Sequence, residues 1–86
     1  MDSHEIILYP LMGEKATLLR ERENKLTFIV NSKANRSDVK KAVEDLYDVG
    51  VLKTNIMWTT EGKKKAHVRL SPEYNAEEIA SHFGVL

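Results

Sequence analysis

Hydrophobic and polar positions recur along this chain with two periods, and the switches between them mark its elements. Ile6-Ile7-Leu8-Tyr9 is a short apolar run ended by Pro10, which reads as a first strand. From Gly13 to Arg20 the pattern is that of a short helix with a narrow apolar face, Ala16 and Leu19 with Met12. Glu14 near its start and Arg20 and Arg22 near its end suit the helix dipole. Lys25 to Val30 then alternates, with Leu26, Phe28 and Val30 on one face and Thr27 and Ile29 on the other. Asn31-Ser32 is turn chemistry.

The strongest helical signal comes next. Val39, Ala42, Val43 and Leu46 fall at i, i+3, i+4 and i+7, preceded by the Asn35/Asp38 pair of a capping box. The pattern stops near Asp48, before Gly50. Val51 to Thr60 is β-rich and runs into Glu61-Gly62, a hairpin signal, after which Lys65 to Leu70 is the returning strand. Asn75 and Glu78 repeat the capping-box spacing. Ala76, Ile79, Ala80 and Phe83 form a second helical stripe, with Gly84 at the position of a terminating glycine. The predicted order is β-α-β-α-β-β-α. It implies an α+β fold: a four-stranded, mostly antiparallel sheet with packed helices, one domain over residues 1–86.

A strand period of two sorts the hairpin by face. Ala66, Val68 and Leu70, with Thr54, Ile56 and Trp58, are expected in the core. Lys53, Asn55, Met57, Thr59, Lys65, His67 and Arg69 are expected on an open face, with Lys63 and Lys64 at its turn end. Two readings of that face compete. It is either an ordinary solvated sheet surface or a grip for phosphates and single-stranded bases. The absence of any acid among its outward side chains favours binding, because a merely soluble face mixes signs.

Charge extends the picture. The chain carries 13 basic and 13 acidic residues, which excludes coating nucleic acid by bulk charge alone. The charge is segregated, however: residues 25–41 and 53–69 each hold five cations against one acid. The first block places Lys33, Arg36, Lys40 and Lys41 around the start of the middle helix, where free N–H groups favour phosphate oxygens. Pairing of Lys40 and Lys41 with Glu44 and Asp45 is the competing explanation.

Catalytic chemistry finds no convergent set. The chain has no cysteine, and its three histidines, His4, His67 and His82, lie in three different elements without metal-ligand spacing. No serine sits in a G-x-S-x-G context, the glycines are isolated, and Glu77-Glu78 is first-turn helix chemistry. No metal or cofactor is expected, and His67 reads as a surface residue of its strand. No apolar run approaches the roughly 18 residues that span a bilayer. The start, Met1 to Glu5, is too acidic for a secretory signal, so the expected compartment is the cytoplasm.

Several motifs in order resemble a known family. Tyr9-Pro10-Leu11-Met12-Gly13-Glu14-Lys15-Ala16 is similar to its N-terminal motif, an apolar run and proline followed by Glu-Lys-Ala. Asn24 to Val30 resembles its N-K-L-x-F-x-V strand, and Val39 to Val49 its I-K-x-A-V-E-x-x-Y-x-V helix. Asn55 stands at the asparagine of a V-N-T motif, and Lys64 to Leu70 at the signature hairpin strand. From about Ile6 to Leu86 the chain resembles ribosomal protein 23 of the large subunit, the universal protein of the polypeptide exit tunnel.

It departs from the family pattern at Gly13, where threonine is usual, and at Thr54-Asn55-Ile56, which replaces V-N-T. At His67 the family usually has an apolar residue, which suggests that this part of the face is covered, by rRNA or by another part of the chain. The short turn from Thr60 to Lys63 resembles archaeal or eukaryotic members, which lack the long bacterial extension. The resemblance implies a non-enzymatic, monomeric protein that binds large-subunit rRNA near the tunnel exit. It also implies contact with neighbouring large-subunit proteins and docking of factors such as the signal recognition particle. The positions it implies, with those of the physical reading, are Lys15, Lys33, Arg36, Lys40, Lys53, Asn55, Lys63, Lys64, Lys65 and Arg69 for RNA. Glu14, Tyr47 and Asp48 are the positions it implies for protein docking. The alternatives from other classes are a protein-interaction module with no RNA role and a small acyl-phosphate hydrolase. The second lacks an anion-cradling loop.

Overall fold

The computed structural model describes residues 1–83. Its elements are α1 (Ser3–Ile6), β1 (Ile7–Pro10), α2 (Glu14–Glu23), β2 (Lys25–Val30), α3 (Arg36–Tyr47), β3 (Val51–Trp58), β4 (Lys64–Leu70) and α4 (Ala76–Ala80), followed by a 3₁₀ turn, Ser81–Phe83. The four strands form one antiparallel sheet in the order β1-β2-β4-β3. The α+β class and the order of elements agree with the periodicity. The single-turn helix α1 is an addition, created by a capping box in which Asp2 and Glu5 satisfy each other's backbone N–H. It takes Ile6 out of the first strand. Gly84, the expected terminating glycine, lies outside the described residues.

Register decides which side chains share a face. Across β2, β4 and β3, Leu26, Val68 and Thr54 form one row, and Phe28, Ala66 and Ile56 the next. This inner face packs on α3, whose stripe Val39, Ala42 and Val43 is fully buried, and on Ala76 and Ala80 of α4. The stripe is presented correctly because the helix starts where it should. Asn35 accepts from Asp38 N at 2.8 Å, and Asp38 accepts in return from Asn35 N at 3.0 Å. Tyr47 and Phe83 close the core over Phe28, with ring centroids 5.8 and 6.0 Å from its own.

The other face is not fully open. Helix α2 lies over it, so that Ala16, Ile29 and Thr27 are buried there and β2 is covered on both sides. Among the described residues no helix is long and apolar enough to cross a membrane.

Strand β3 departs from a simple alternation at its start, and one expectation from strand period fails at its far end. An extra residue, Leu52, interrupts the register between Val51, opposite Leu70, and Lys53, opposite Arg69. Val51 and Thr54 both reach the inner side, while Leu52 stays 61% exposed. Beyond the bulge, burial fades along the inner row: Thr54 is buried, Ile56 half-buried and Trp58 58% exposed. Trp58 is therefore no core residue. It has the inward phase, but at the far end of the strand the inner face is no longer covered.

Candidate nucleic-acid interface

The outer face is a grid set by register. Lys25, Arg69 and Lys53 stand in one row across β2, β4 and β3. Thr27, His67 and Asn55 form the next row, and Ile29, Lys65 and Met57 the third. Three cations side by side repel one another in the free protein. Among the described residues only Lys25 of this row has an acidic partner, Glu23 at 2.9 Å. Lys15 of α2 shares a cavity of roughly 260 Å³ with Lys65 and His67. The structure thus brings Lys15, Lys53, Asn55, Lys65 and Arg69 onto one surface and adds Lys25. The signal for Lys25, its position opposite Arg69, exists only once the strands are paired.

His67 is the correction on this face. It is buried, not exposed, because α2 lies over it with Leu11, Ala16 and Leu19 in the same cavity. Its Nδ1 is 3.0 Å from the Thr27 hydroxyl. The covering suggested by the departure from an apolar residue therefore comes from another part of the chain. Burial holds the imidazole below its usual 6.5, and the nearby Lys65, Lys25 and Lys15 push the same way against a weaker pull from Glu23. The folded chain thus resists a proton that the unfolded chain accepts. This contribution to stability is complete above pH 6.5 and is lost as pH falls through the lower folded value. Thermal melts should show stability declining from pH 7 towards pH 5, and His67→Leu should flatten that decline. An equal slope in the variant excludes His67 as its source.

A second basic cluster joins distant parts of the chain. Arg36, Ser37 and Lys40 of α3 line a groove of roughly 440 Å³ with Leu52, Lys53 and Thr54 of edge strand β3. Pairing within the helix does not neutralise it. Among the described residues the ion pairs are Arg20–Glu77 and Lys25–Glu23. Glu44 accepts from Val51 N and Asp45 from the Ser3 hydroxyl instead.

The lysine run at the hairpin divides three ways. Lys63 Nζ bonds the Tyr9 hydroxyl at 3.2 Å and stands 5.9 Å from that ring's centre. Lys64 is not on the open face at all. It pairs with Val30 and Trp58 on the inner side. Its ammonium donates to the carbonyls of Ala34 and, at 3.4 Å, Ser32, and lies 5.6 Å from the Trp58 ring centre. Lys33 is exposed in the same loop. Lys65 alone of the three faces outward beside His67.

The three expected docking residues are not brought together. Glu14 lines the outer cavity with Lys15 and Lys65. Tyr47 is half-buried on the inner side against Phe28. It also lines a groove between α3 and α4 with Leu46, Glu78, Ile79 and His82. Asp48, exposed in a left-handed conformation at φ 53°, caps α3 beside it.

The model of the family described as ribosomal protein L23 matches residues 5–77. The chain belongs to this family. It is also 45% identical over 85 residues to the large ribosomal subunit protein uL23 of Methanococcus aeolicus, covering 99% of each chain. As a ribosomal protein it is a structural component, not an enzyme. The match spans every strand and all of α1, α2 and α3 except Ser3 and His4, so the basic surfaces above fall within the matched segment.

Proposed function

We propose that this protein binds large-subunit rRNA near the polypeptide exit tunnel through its outer sheet face, as a constituent of the large subunit in the cytoplasm. The observation that carries the reading is the row Lys25, Arg69 and Lys53 across three strands, flanked by Lys15, Lys65 and Asn55. Such a row is unfavourable alone and favourable against a phosphate backbone. Family membership supports the same reading. Contacts of this kind go mostly to phosphate and sugar, so RNA is read by shape. Trp58 adds an exposed aromatic surface beside Lys64 on which a base can stack.

The inner side carries the second half of the proposal. The groove of Leu46, Tyr47, Ile79, Glu78 and His82 offers apolar area beside an acid, and Asp48 follows Tyr47 directly in the chain. It is the docking surface for nascent-chain factors such as the signal recognition particle, and Glu14 stands apart from it. The chain acts as one domain, a monomer when isolated, with neighbouring large-subunit proteins as further partners.

The test is Lys65→Glu with Arg69→Glu. Affinity for deproteinised large-subunit rRNA should fall more than tenfold at moderate salt while the melting temperature holds. The slope of log K against log salt should become shallower by about 0.7–0.9 for each phosphate that the protein no longer neutralises. Unchanged affinity and slope would remove the face from the site. Failure of the wild-type protein to migrate with large subunits in a gradient overturns the RNA reading. Failure of signal recognition particle to comigrate with those subunits overturns the docking half.

A further inference from the structure

A cavity of roughly 260 Å³ lies between helix α2 and the outer sheet face. Leu11, Ala16 and Leu19 supply its apolar lining, and Thr27 and His67 line it from β2 and β4. Its volume is below the range of about 300–1,000 Å³ that drug-sized ligands fill, which suits one flat ring system. His67 gives the cavity a polar centre. Its Nδ1 is turned to the Thr27 hydroxyl at 3.0 Å, whereas Nε2 bonds no described residue. Nε2 is not sealed in either, for the enclosed unpaired side-chain atom among the described residues is Thr54 Oγ1. The imidazole therefore holds a free nitrogen that a ligand can reach. Burial and the nearby lysines favour the neutral ring. A neutral ring bonded to a hydroxyl can present Nε2 as donor or acceptor, because the hydroxyl takes the complementary part at Nδ1.

We propose that this cavity receives one unpaired base of large-subunit rRNA, turned out of its stack, with His67 Nε2 hydrogen-bonded to the base edge. The proposal rests on the rRNA-binding reading and deepens it: phosphate contacts on the outer face position the RNA, and this contact reads a base. Charge selects the occupant. Lys15 and Lys65 line the cavity against the single acid Glu14, so it favours a ligand with an anionic group next to its ring, as a nucleotide has. The cost of unstacking is least for a base that is already unpaired, and burial against Leu11, Ala16 and Leu19 offsets it. Entry is open at Gly13, where an added Cβ would meet no atom within 4 Å.

Thr27→Val with His67→Leu tests it. Replacing both members of a buried hydrogen bond by apolar groups is nearly neutral for folding, so the melting temperature should hold. Complexes with deproteinised large-subunit rRNA are probed at the bases with dimethyl sulfate and a carbodiimide, and along the backbone with hydroxyl radicals. An unpaired base that reacts in free rRNA should be protected in the wild-type complex and reactive again in the variant complex. The variant's affinity should fall about three- to tenfold, the worth of one hydrogen bond, with the rest of the backbone footprint and the salt slope unchanged because no charge is lost. Gly13→Leu, which fills the mouth and leaves the core intact, should expose the same base, so the test does not depend on the folding of the double variant. If both variants protect every base that the wild type protects, the inference is overturned while the rRNA reading stands. If adenosine monophosphate shifts the ring resonances of His67 but no base is protected in the rRNA complex, the cavity serves a free nucleotide and the inference is likewise overturned. Wild-type protein that binds no rRNA removes the underlying reading instead, a result distinct from both.

Discussion

Phe28→Ala should destabilise the protein by about 3–5 kcal/mol, the range for emptying a large aromatic site that cannot collapse. Phe28 has no exposed surface. Tyr47 stacks on one side with an interplanar angle of 14°, and Phe83 meets it at 61°. Tyr47 and Phe83 also touch each other at 5.4 Å, so the three rings brace one another and cannot all move in to fill the gap. A chain of this size has a total stability of order 4–13 kcal/mol at about 0.05–0.15 kcal/mol per residue. The loss is a large share of that, and urea denaturation should show a midpoint lowered by about a quarter or more. Phe28→Leu keeps most of the apolar volume and should cost less than half as much. A stability for Phe28→Ala within about 1 kcal/mol of wild type, the margin of a surface site, would show that the rings do not anchor the sheet. The effect reaches function because β2 is the strand that joins β1 to β4, and the outer face is only as rigid as its pairing.

The same strand shows what periodicity makes legible. Leu26, Phe28 and Val30 point to the core as their spacing says, and α3 presents Val39, Ala42 and Val43 because its capping pair is local in sequence. Element order, the hairpin and the family pattern are carried by neighbours within a few residues, so they are readable. What escaped depends on contacts between distant segments. His67 has an outward phase and an inward environment, because α2, some fifty residues earlier, lies over it. Trp58 has an inward phase and an outward environment, because the covering helices end before it does. The bulge at Leu52 shifts the phase of β3 by one, and nothing in the alternation of that strand announces it. The site divided in the same way. The two basic blocks are visible as composition, but the meeting of Arg36 and Lys40 with Lys53 follows from packing α3 on an edge strand.

Within the lysine run the structure separates folding from binding, and this yields the other large effect. Lys64→Glu should cost about 1.5–3 kcal/mol of stability, the worth of hydrogen bonds from a charged donor. The ammonium spans from the hairpin to the β2–α3 loop, where the Ala34 and Ser32 carbonyls accept from it. A carboxylate there meets two carbonyl oxygens with its own negative charge and leaves them unpaired. It also forfeits the attraction of the cation to the Trp58 ring. The loop it holds leads into Asn35, the cap of α3, so fraying at Lys64 loosens the start of the helix that carries Arg36 and Lys40. Lys65→Glu should behave in the opposite way. Lys65 lines the outer cavity with both Lys15 and Glu14, so replacing it exchanges one repulsion for another and should leave the melting temperature within experimental error, while rRNA affinity falls. The two variants, compared by urea unfolding and by rRNA titration at one salt concentration, should therefore exchange places. If Lys64→Glu unfolds at the wild-type midpoint, the carbonyl tether contributes nothing, and Lys64 returns to the set of cations free to meet phosphate.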